Sequence, residues 1–226
     1  NDQLSLYANY IEGLSQGATA PMTAANAGEV FAPYKSKQKE LGLKLDLGDF
    51  AHTFSLFEIT RPSSYTDPVT NVYSFGGEQR NRGIEWSFFG NAMHGLRLMG
   101  GVAYTTPKLT QTAGGVNEGK LATGTPKWQG KLGAEWDVPG VQGLALSANA
   151  TAVSRQYISA NNSLWAAGRT TYDLGARYST KVADKPVTLR ASVLNATNKA
   201  YWGMPQLSSL ALGAPRTFAL SASVDF

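Results

Sequence analysis

The sequence predicts an all-β fold, in which about ten strands form part of an antiparallel transmembrane β-barrel. Three observations support this prediction. Apolar and polar residues alternate along most of the chain, which is typical of strands with one apolar face. The connections between the strands alternate between long and short. Charged residues make up only 16% of the 226 residues, whereas soluble domains have about 25%.

The alternation locates the strands in order along the chain. In one example, Ile84, Trp86 and Phe88 alternate with Glu85 and Ser87. The same rule predicts strands at 3–13, 36–47, 51–61, 73–90, 96–106, 127–137, 144–156, 169–179, 187–195 and 216–226. Helical spacing does not compete over any comparable length.

Segment 53–59 departs from the simple pattern. Phe54 and Leu56 share one face of the predicted strand, but Phe57 and Ile59 share the other. A β-bulge inserts one extra residue into a strand and would bring both pairs to the same face. We therefore expect a bulge within 53–59.

The predicted connections have two lengths in strict alternation. The long connections, rich in Gly, Ser, Thr, Asn and Pro, are 14–35, 62–72, 107–126, 157–168 and 196–215. The short connections are 48–50, 91–95, 138–143 and 180–186. Outer-membrane barrels have this arrangement, with long loops outside the cell and tight turns on the periplasmic side. Each strand alone would also fit a half-buried soluble sheet, but the combination favours the barrel.

The two faces of such a wall meet different surroundings. Hydrocarbon offers no partner to backbone groups, so only helices and closed barrels can span a bilayer. An Arg or Lys on the lipid face near the midplane would cost about 2–4 kcal/mol. We therefore expect the charged strand residues on the lumen side, namely Lys44, Asp46, Glu85, Glu135, Asp137, Asp173 and Arg177. The aromatic residues expected in interfacial girdles are Tyr10, Tyr104, Trp128, Trp136, Tyr157, Tyr178 and Phe226.

Several function classes are disfavoured by the residues present. The chain has no cysteine for disulfide or thiolate chemistry, and its net charge of +4 is scattered, which disfavours nucleic acid as a partner. Gly114 to Lys120 has phosphate-loop spacing, but Leu121 replaces the Ser or Thr that would bind magnesium. The two histidines, His52 and His94, are far apart, so a zinc site is not expected. No G-x-S-x-G motif presents a nucleophile, so an enzyme is not expected.

An ordered set of motifs resembles one known family. "KELGLKLDL" carries E-x-G-x-K in Glu40, Gly42 and Lys44. "RNRGIEWSFFG" resembles an R-x-x-G-x-E strand, "VLNATNKAYW" is similar to N-L-x-N-K-x-Y-W, and "GAPRTFALSASVDF" is similar to a closing G-x-P-R strand. Together these motifs resemble the C-terminal half of the barrel of TonB-dependent outer-membrane receptors, especially those for ferric siderophores. The resemblance covers essentially the whole chain.

The resemblance implies a location and a function. Residues 1–226 would form the C-terminal barrel portion of a 22-stranded barrel in the bacterial outer membrane, with the plug domain and N-terminal barrel strands absent from this sequence. The receptor would bind a ferric siderophore and import it when the TonB complex pulls on the plug. Iron arrives already chelated, so no cofactor and no protein metal ligand are expected. The outer wall would contact lipid, and the barrel-assembly machinery would recognise the strand that ends at Phe226.

Ligand contacts are expected in the loops and the upper wall, where aromatic side chains can pack on a bulky chelate. The candidates are Tyr65, Tyr73, Tyr157, Trp165, Tyr201 and Trp202. Each of them could instead belong to a girdle or pack a loop. Arg61 and Arg80 could attract an anionic complex or pair across the lumen. The alternative functions are uptake of cobalamin, haem or a glycan by the same barrel, or a passive porin.

Overall fold

A computed structural model describes residues 3–206 and 209–225 of the chain. In chain order its strands are β1 (Leu4–Ser15), β2 (Tyr34–Asp46), β3 (Phe50–Thr66), β4 (Tyr73–Met93), β5 (Leu96–Gln111), β6 (Trp128–Asp137), β7 (Leu144–Val153), β8 (Gln156–Tyr157), β9 (Trp165–Ala166), β10 (Arg169–Val182), β11 (Lys185–Leu194), β12 (Trp202–Gln206), β13 (Ser209–Leu212) and β14 (Thr217–Val224). A short 3₁₀ turn, Ala113–Gly115, follows β5. The part of the chain that the structure describes has no helix that could span a membrane.

Ten of these strands form one antiparallel sheet in the order β1-β2-β3-β4-β5-β6-β7-β10-β11-β14. They correspond one for one to the ten strands that the alternation predicts, so the all-β prediction is confirmed. The other four strands form two small hairpins, β8–β9 and β12–β13, inside segments that were expected to be loops. In the described part of the chain, β1 and β14 are the edges of the sheet. The predicted roles of Phe226 lie outside the described residues.

Neighbouring strands are joined alternately at two ends of the sheet, named here the turn end and the loop end. The connections at the turn end are 47–49, 94–95, 138–143 and 183–184. Ala183 and Asp184 have φ values of 49° and 60°, the left-handed pair that a two-residue hairpin turn favours. The connections at the loop end are 16–33, 67–72, 112–127, 154–168 and 195–216. The predicted alternation is therefore present, although the loop between β3 and β4 is shorter than expected.

The register carries the alternation of side chains across the whole sheet. One cross-strand row consists of Ala8, Leu41, Leu56, Ile84, Tyr104 and Trp128. The row two residues nearer the turn end consists of Leu6, Leu43, Phe54, Trp86, Val102 and Gly130. We name this apolar side the outer face and the opposite side the inner face. All seven charged residues predicted for the lumen side lie on the inner face, as the register places them.

The bulge predicted within 53–59 is wrong. β3 pairs without a register shift with β2 from Ala51 to Thr60 and with β4 from Phe50 to Ser63. Phe57 and Ile59 therefore lie on the inner face. Phe57 is accommodated there because its partner on β4 is Gly83, and a Cβ at that position would lie only 2.5 Å from Phe57 Cζ. The ring fills the space above a glycine and packs on backbone, so an apolar residue is tolerated on the polar side.

β3 and β5 are longer than predicted and run through two prolines, Pro62 and Pro107. Proline cannot donate to a strand ladder and is usually found at sheet edges. Pairing between β2 and β3 ends at Thr60, and pairing between β5 and β6 ends at Tyr104. Pro62 and Pro107 lie beyond these points and, within the sheet, are paired only with β4. Their missing N–H groups therefore remove no bond from the β2–β3 ladder or the β5–β6 ladder. The strands therefore project past their neighbours at the loop end.

The E-x-G-x-K motif builds one patch of the inner face. The ring of Tyr7 lies against Gly42, where any side chain would collide with it. The Tyr7 hydroxyl donates to Glu40 Oε1 at 2.6 Å, and Lys44 Nζ lies 5.5 Å from the ring centre. Glu40, Gly42 and Lys44 thus hold the ring of Tyr7 against the inner face of the sheet.

The asparagine and G-x-P-R motifs meet at the loop end of β11 and β14. Asn195 is 5% exposed. Its Nδ2 donates to the carbonyl groups of Lys199 and Ala214 at 2.9 and 3.0 Å, and its Oδ1 accepts from Lys199 N at 2.8 Å. Its own N–H donates to Asp173 Oδ1 at 2.7 Å. The side-chain amide of Asn195 therefore joins the two motifs, and its backbone N–H ties them to β10.

A charge network lies at the turn end of the inner face, across β5, β6 and β10. Arg97 donates to both carboxylate oxygens of Asp137 at 2.9 and 2.8 Å and to Glu135 at 2.7 Å. Glu135 also pairs with Arg177 at 3.1 Å. Two cations and two carboxylates balance, so this network adds no net charge to the inner face.

Candidate functional site

A cleft of about 610 Å³ opens at the loop end, between the projecting parts of β3, β4 and β5 and the loop that follows β5. Tyr34, Tyr65 and Phe75 supply aromatic surface to its lining, and Gln79 supplies an amide. Arg61 brings a positive charge. A cleft of this size and mixed character is typical of small-molecule sites, which measure about 300–1,000 Å³.

The charge of Arg61 is held at the wall of the cleft by a chain of amides. Arg61 Nη2 donates to Gln79 Oε1 at 3.0 Å, and Gln79 Nε2 donates to Asn81 Oδ1 at 2.9 Å. Gln79 is only 4% exposed, so its position is fixed. Within the described residues Arg61 makes no ion pair. Because a guanidinium has five N–H donors, it retains donors for an anionic ligand.

Four aromatic side chains pack at the rim of this cleft. Phe31 contacts Tyr73 and Phe75 edge to face, with ring centres 5.6 and 5.4 Å apart. Tyr34 stacks on Phe75 at 5.1 Å. Such pairs contribute about 0.5–1.5 kcal/mol beyond the area that they bury. We name these four residues the rim cluster, which holds the aromatic lining in place without help from a ligand.

A second aromatic group lies on the hairpin β8–β9. The guanidinium carbon of Arg155 lies 5.7 Å from the ring centre of Tyr157 and 5.9 Å from that of Trp165, and these two aromatic residues pair directly. Arg169, the first residue of β10, lies 4.5 Å from the ring centre of Tyr201 in the loop that follows β11. These cation–π contacts place positive charge beside aromatic surface at the loop end.

Two asparagines tie the loops together through reciprocal hydrogen bonds. Asn26 Nδ2 donates to Tyr73 O at 2.9 Å, and Tyr73 N donates to Asn26 Oδ1 at 2.8 Å. Asn162 makes the same pair of bonds with Leu121, both at 2.8 Å. The first clasp joins the β1–β2 loop to the start of β4, and the second joins the β5–β6 loop to the β7–β10 loop. We name them the first and second amide clasps.

The short loop between β3 and β4 is closed by a carboxylate. Asp67 Oδ1 accepts hydrogen bonds from the N–H groups of Thr70 and Val69, each at 2.8 Å. These bonds, that of Thr70 first, favour the ionised form and lower the pKa of Asp67 below its ordinary value. The loop that flanks the cleft is therefore stabilised by a charged side chain.

The six aromatic residues predicted as ligand contacts all lie at the loop end, in three groups. The first group, at the cleft and its rim cluster, is Tyr65 and Tyr73; the second, around Arg155, is Tyr157 and Trp165; the third, at the start of β12, is Tyr201 and Trp202. Trp165 and Trp202 are 55% and 50% exposed. Their contact with a ligand remains a prediction.

The two candidate arginines lie on opposite faces of the sheet. Arg61 pairs with Gln79 on the inner face, whereas Arg80 pairs with Thr60 on the outer face. Arg61 therefore lines the cleft and Arg80 does not. The sequence contained this distinction, because Arg80 is in phase with the outer-face residue Ile84.

The residues of the site that sequence reasoning missed include Tyr34, Phe75, Gln79 and Arg155. A usable signal existed for the first three, because they are in phase with the inner-face residues of β2 and β4. Arg155 lies in a loop, where no strand periodicity indicates which way a side chain points.

Metal-ligating side chains do not converge in the part of the chain that the structure describes: no group of three His, Asp or Glu residues there could hold a metal ion. His52 lies on the outer face and stacks on Trp86, with 6.1 Å between ring centres. The aromatic character of the site therefore comes without a metal-binding cluster among these residues.

Residues 1–196 match the family model described as TonB dependent receptor-like, beta-barrel. The chain belongs to this family of TonB-dependent receptors. The sheet is thus part of an outer-membrane β-barrel, and the predicted fold class and location are confirmed.

Named relatives of this family match the whole chain. The ferrichrome receptor FcuA of Yersinia enterocolitica is 41% identical over 232 residues, which cover 100% of this chain and 31% of FcuA. The crystal structure of BauA, the ferric preacinetobactin receptor of Acinetobacter baumannii, is 61% identical with a TM-score of 0.85 and covers 100% of this chain and 35% of that one.

A more distant structure shares the fold alone. The siderophore receptor PiuA of Acinetobacter baumannii is 21% identical with a TM-score of 0.79, over 98% of this chain and 34% of PiuA. This chain therefore spans about a third of the length of the relatives that it matches.

Proposed function

We propose that the chain is the C-terminal barrel portion of a longer TonB-dependent receptor that imports a ferric siderophore across the outer membrane. The observation that carries this proposal is the cleft at the loop end. It combines rigid aromatic surface from the rim cluster with the positive charge of Arg61. A ferric siderophore is a bulky chelate with both apolar and polar surface, and this lining suits it.

The relatives support the same cargo class. FcuA is named as a ferrichrome receptor and BauA as a ferric preacinetobactin receptor. The match to BauA runs through the whole chain, and so includes the segments that build the cleft.

In this proposal the cleft at the loop end of the sheet binds the siderophore, and other parts of the receptor transport it. The plug domain would fill the lumen against the polar inner face, and the TonB complex would pull on the plug. Iron would enter as part of the chelate, so the protein supplies neither a cofactor nor metal ligands, and it breaks no covalent bond. The barrel-assembly machinery would recognise the terminal strand.

Binding of two ferric siderophores to the full-length receptor tests the proposal. Ferric preacinetobactin and ferrichrome are titrated against the detergent-purified receptor, and tryptophan fluorescence reports binding. At least one should bind, and Arg61→Gln should weaken it about tenfold, because a hydrogen bond to a charged group is lost. Arg80→Gln is the matched control on the opposite face, and its affinity should equal that of the wild type.

Three results would contradict the proposal. Binding of cobalamin, haem or a glycan in place of both siderophores would assign a different cargo. Open-channel conductance by the full-length receptor without cargo would indicate a porin. Equal loss of siderophore affinity in Arg61→Gln and Arg80→Gln would show that the cleft is not the binding site.

A further inference from the structure

A β-bulge lies where β3 and β4 border the cleft. Tyr65 on β3 pairs with Ser74 on β4, whereas Ser63 pairs with Gly77. One residue separates these two pairs on β3 but two residues separate them on β4, which is the arrangement of a bulge. The bulge therefore places Tyr65 opposite a small serine, so that Tyr65 and Phe75 both line the cleft without lying directly opposite each other.

Gly76, which lies in this bulge, leaves room for the ring of Tyr65. A Cβ at Gly76 would lie 3.0 Å from the Tyr65 hydroxyl oxygen and 3.5 Å from Cε1 and Cζ of the ring. Gly76 is not among the described residues with positive φ, so its backbone conformation does not require glycine. The absence of a side chain is therefore what matters at this position, because it lets one edge of the Tyr65 ring rest on the β4 backbone.

Tyr65 differs from the other aromatic residues of the cleft lining in having no aromatic partner. Tyr34 and Phe75 stack on each other, with 5.1 Å between ring centres. Across residues 3–206 and 209–225, Tyr65 makes no ring contact and its hydroxyl makes no hydrogen bond. Its hydroxyl and the ring surface that lines the cleft are therefore available to a bound molecule.

Arg61 lies in a different part of the same cleft. It is four positions from Tyr65 along β3, a distance of about 13 Å between their backbones. Its guanidinium is held by Gln79, and it makes no ion pair in the part of the chain that the structure describes. The cleft thus presents an aromatic surface and a positive charge at two separate positions.

We propose that the cleft recognises its ligand at these two positions: an aromatic ring of the chelate packs on Tyr65, and a negatively charged oxygen pairs with Arg61. This inference rests on the proposed function and narrows the cargo to ferric chelates that carry both an aromatic ring and a net negative charge. Gly76 is a specificity-determining residue, because a side chain there would displace the ring of Tyr65 from the β4 backbone.

Three simple iron(III) chelates separate the two positions. The iron(III) complexes of acetohydroxamate and benzohydroxamate are both neutral, and only the second has aromatic rings. The iron(III) complex of catechol has aromatic rings and is anionic. Each complex is titrated into the full-length receptor in detergent, and isothermal titration calorimetry measures its affinity.

The wild type should show two preferences. It should bind the benzohydroxamate complex about fivefold more tightly than the acetohydroxamate complex, because only the first can stack on Tyr65. It should bind the catechol complex about tenfold more tightly than the benzohydroxamate complex, because an anionic oxygen makes a charge-assisted hydrogen bond to Arg61. We name these the ring preference and the charge preference.

Substitutions should remove the two preferences one at a time. Gly76→Val and Tyr65→Leu should each remove the ring preference and leave the charge preference, whereas Arg61→Gln should do the reverse. Gly76→Val in a Tyr65→Leu background should have no further effect on the ring preference, because the displaced ring is already absent. Tyr172→Leu, on the outer face of β10, is the matched control and should keep both preferences. Heat-dependent gel migration checks that each variant folds, and if Gly76→Val does not fold, Gly76→Ala replaces it.

Equal affinity of the wild type for the two hydroxamate complexes, or binding of none of the three chelates, would overturn the proposal. A ring preference that persists in the Gly76 and Tyr65 variants would show that neither residue determines it. A charge preference that persists in Arg61→Gln would do the same for Arg61. Titration of ferrichrome and ferric preacinetobactin into the same receptor keeps this test separate from the proposed function. A receptor that binds either siderophore but lacks the two preferences contradicts this inference alone, whereas one that binds neither contradicts the proposed function.

Discussion

The two halves of the wall are built by the same alternation but end differently. In the first half, β3, β4 and β5 have 17, 21 and 16 residues. In the second half, β6, β7 and β11 have 10 residues each. About 9–11 tilted residues are enough to cross a bilayer. The short strands therefore stop near the membrane boundary, whereas the long ones project beyond it.

This difference in strand length separates two parts of each strand, one inside the membrane and one beyond it, in which the side chains have different surroundings. Within the membrane, both halves keep apolar residues on the outer face and polar residues on the inner face. Beyond it, the long half uses its projecting strands to build the cleft. The short half replaces projecting strands with the hairpins β8–β9 and β12–β13, held by asparagine side chains.

The largest effect is expected at the buried amide of the short half. Asn195→Ala leaves the N–H of Lys199 and the carbonyl groups of Lys199 and Ala214 without their side-chain partner, so it should lower the free energy of unfolding by about 3 kcal/mol. Urea unfolding followed by tryptophan fluorescence measures this change. Asn161→Ala is the control, because Asn161 is exposed and bonds only within its own loop. Equal destabilisation by both changes would show that the buried amide does not hold the short half together.

A slightly smaller effect is expected in the long half, where Tyr7 lies against Gly42. Gly42→Val places a side chain in the volume of the ring and should cost about 1–3 kcal/mol. In a Tyr7→Ala background the same substitution should cost less than half as much, because the colliding ring is gone. Gly130→Ala is the control, since its Cβ would meet a neighbouring atom at an ordinary 3.7 Å. An unchanged cost in the Tyr7→Ala background would contradict this explanation of the motif.

The amide clasps test whether the loops of the two halves are independent. Asn26→Ala should speed hydrogen exchange at the Tyr73 amide about tenfold, and Asn162→Ala should do the same at the Leu121 amide, because each amide loses its acceptor. Each change should leave the other amide at its wild-type rate. If Asn162→Ala also released Tyr73, the loops would behave as one unit and the division into halves would fail.

The smallest effect is a pH dependence of the loop that Asp67 closes. Its carboxylate has a lower pKa in the folded loop than the ordinary value of 3.8, so its stabilising effect is fully present above pH 3.8. It is lost as the pH falls through the lower, folded-state pKa. Hydrogen exchange at Val69 and Thr70, corrected for intrinsic rates, should therefore accelerate only in that acidic window. Asp67→Asn should abolish the pH dependence, and a persistent dependence would assign it to another group.

The sequence predicted the wall well because the membrane imposes one rule on every strand. Rows such as Leu41, Leu56 and Ile84 follow directly from a period of two. The alternation of apolar and polar residues predicted less where side chains and backbone contact other parts of the protein. Phe57 breaks the pattern because a glycine on the next strand makes room for it, and Pro62 lies in a strand because the pairing of β3 with β2 has already ended at Thr60. Both causes depend on the partner strand and cannot be seen in one segment alone.

The candidate site was less predictable for the same reason. Aromatic composition pointed to the loop end and identified Tyr65 in the cleft. It could not separate Arg61 from Arg80 without the phase of their strands, and it gave no indication of Arg155 in its loop. The cleft arises from strands that project past their neighbours, which is a property of the pairing and not of local composition.

The central claim is that the two faces of each strand meet lipid and lumen in turn, and a spin-label scan of β3 tests it most directly. This chain has no cysteine, so a single cysteine at each of residues 51–60 places one spin label in it, after any cysteine elsewhere in the full-length receptor is replaced by serine; the labelled receptors are then placed in phosphatidylcholine vesicles. Accessibility to oxygen should peak at His52, Phe54 and Leu56, and accessibility to a soluble nickel complex should rise at Glu58. Phe57 should report the lumen side. A scan without a period of two, or with Phe57 on the lipid side, would contradict the account.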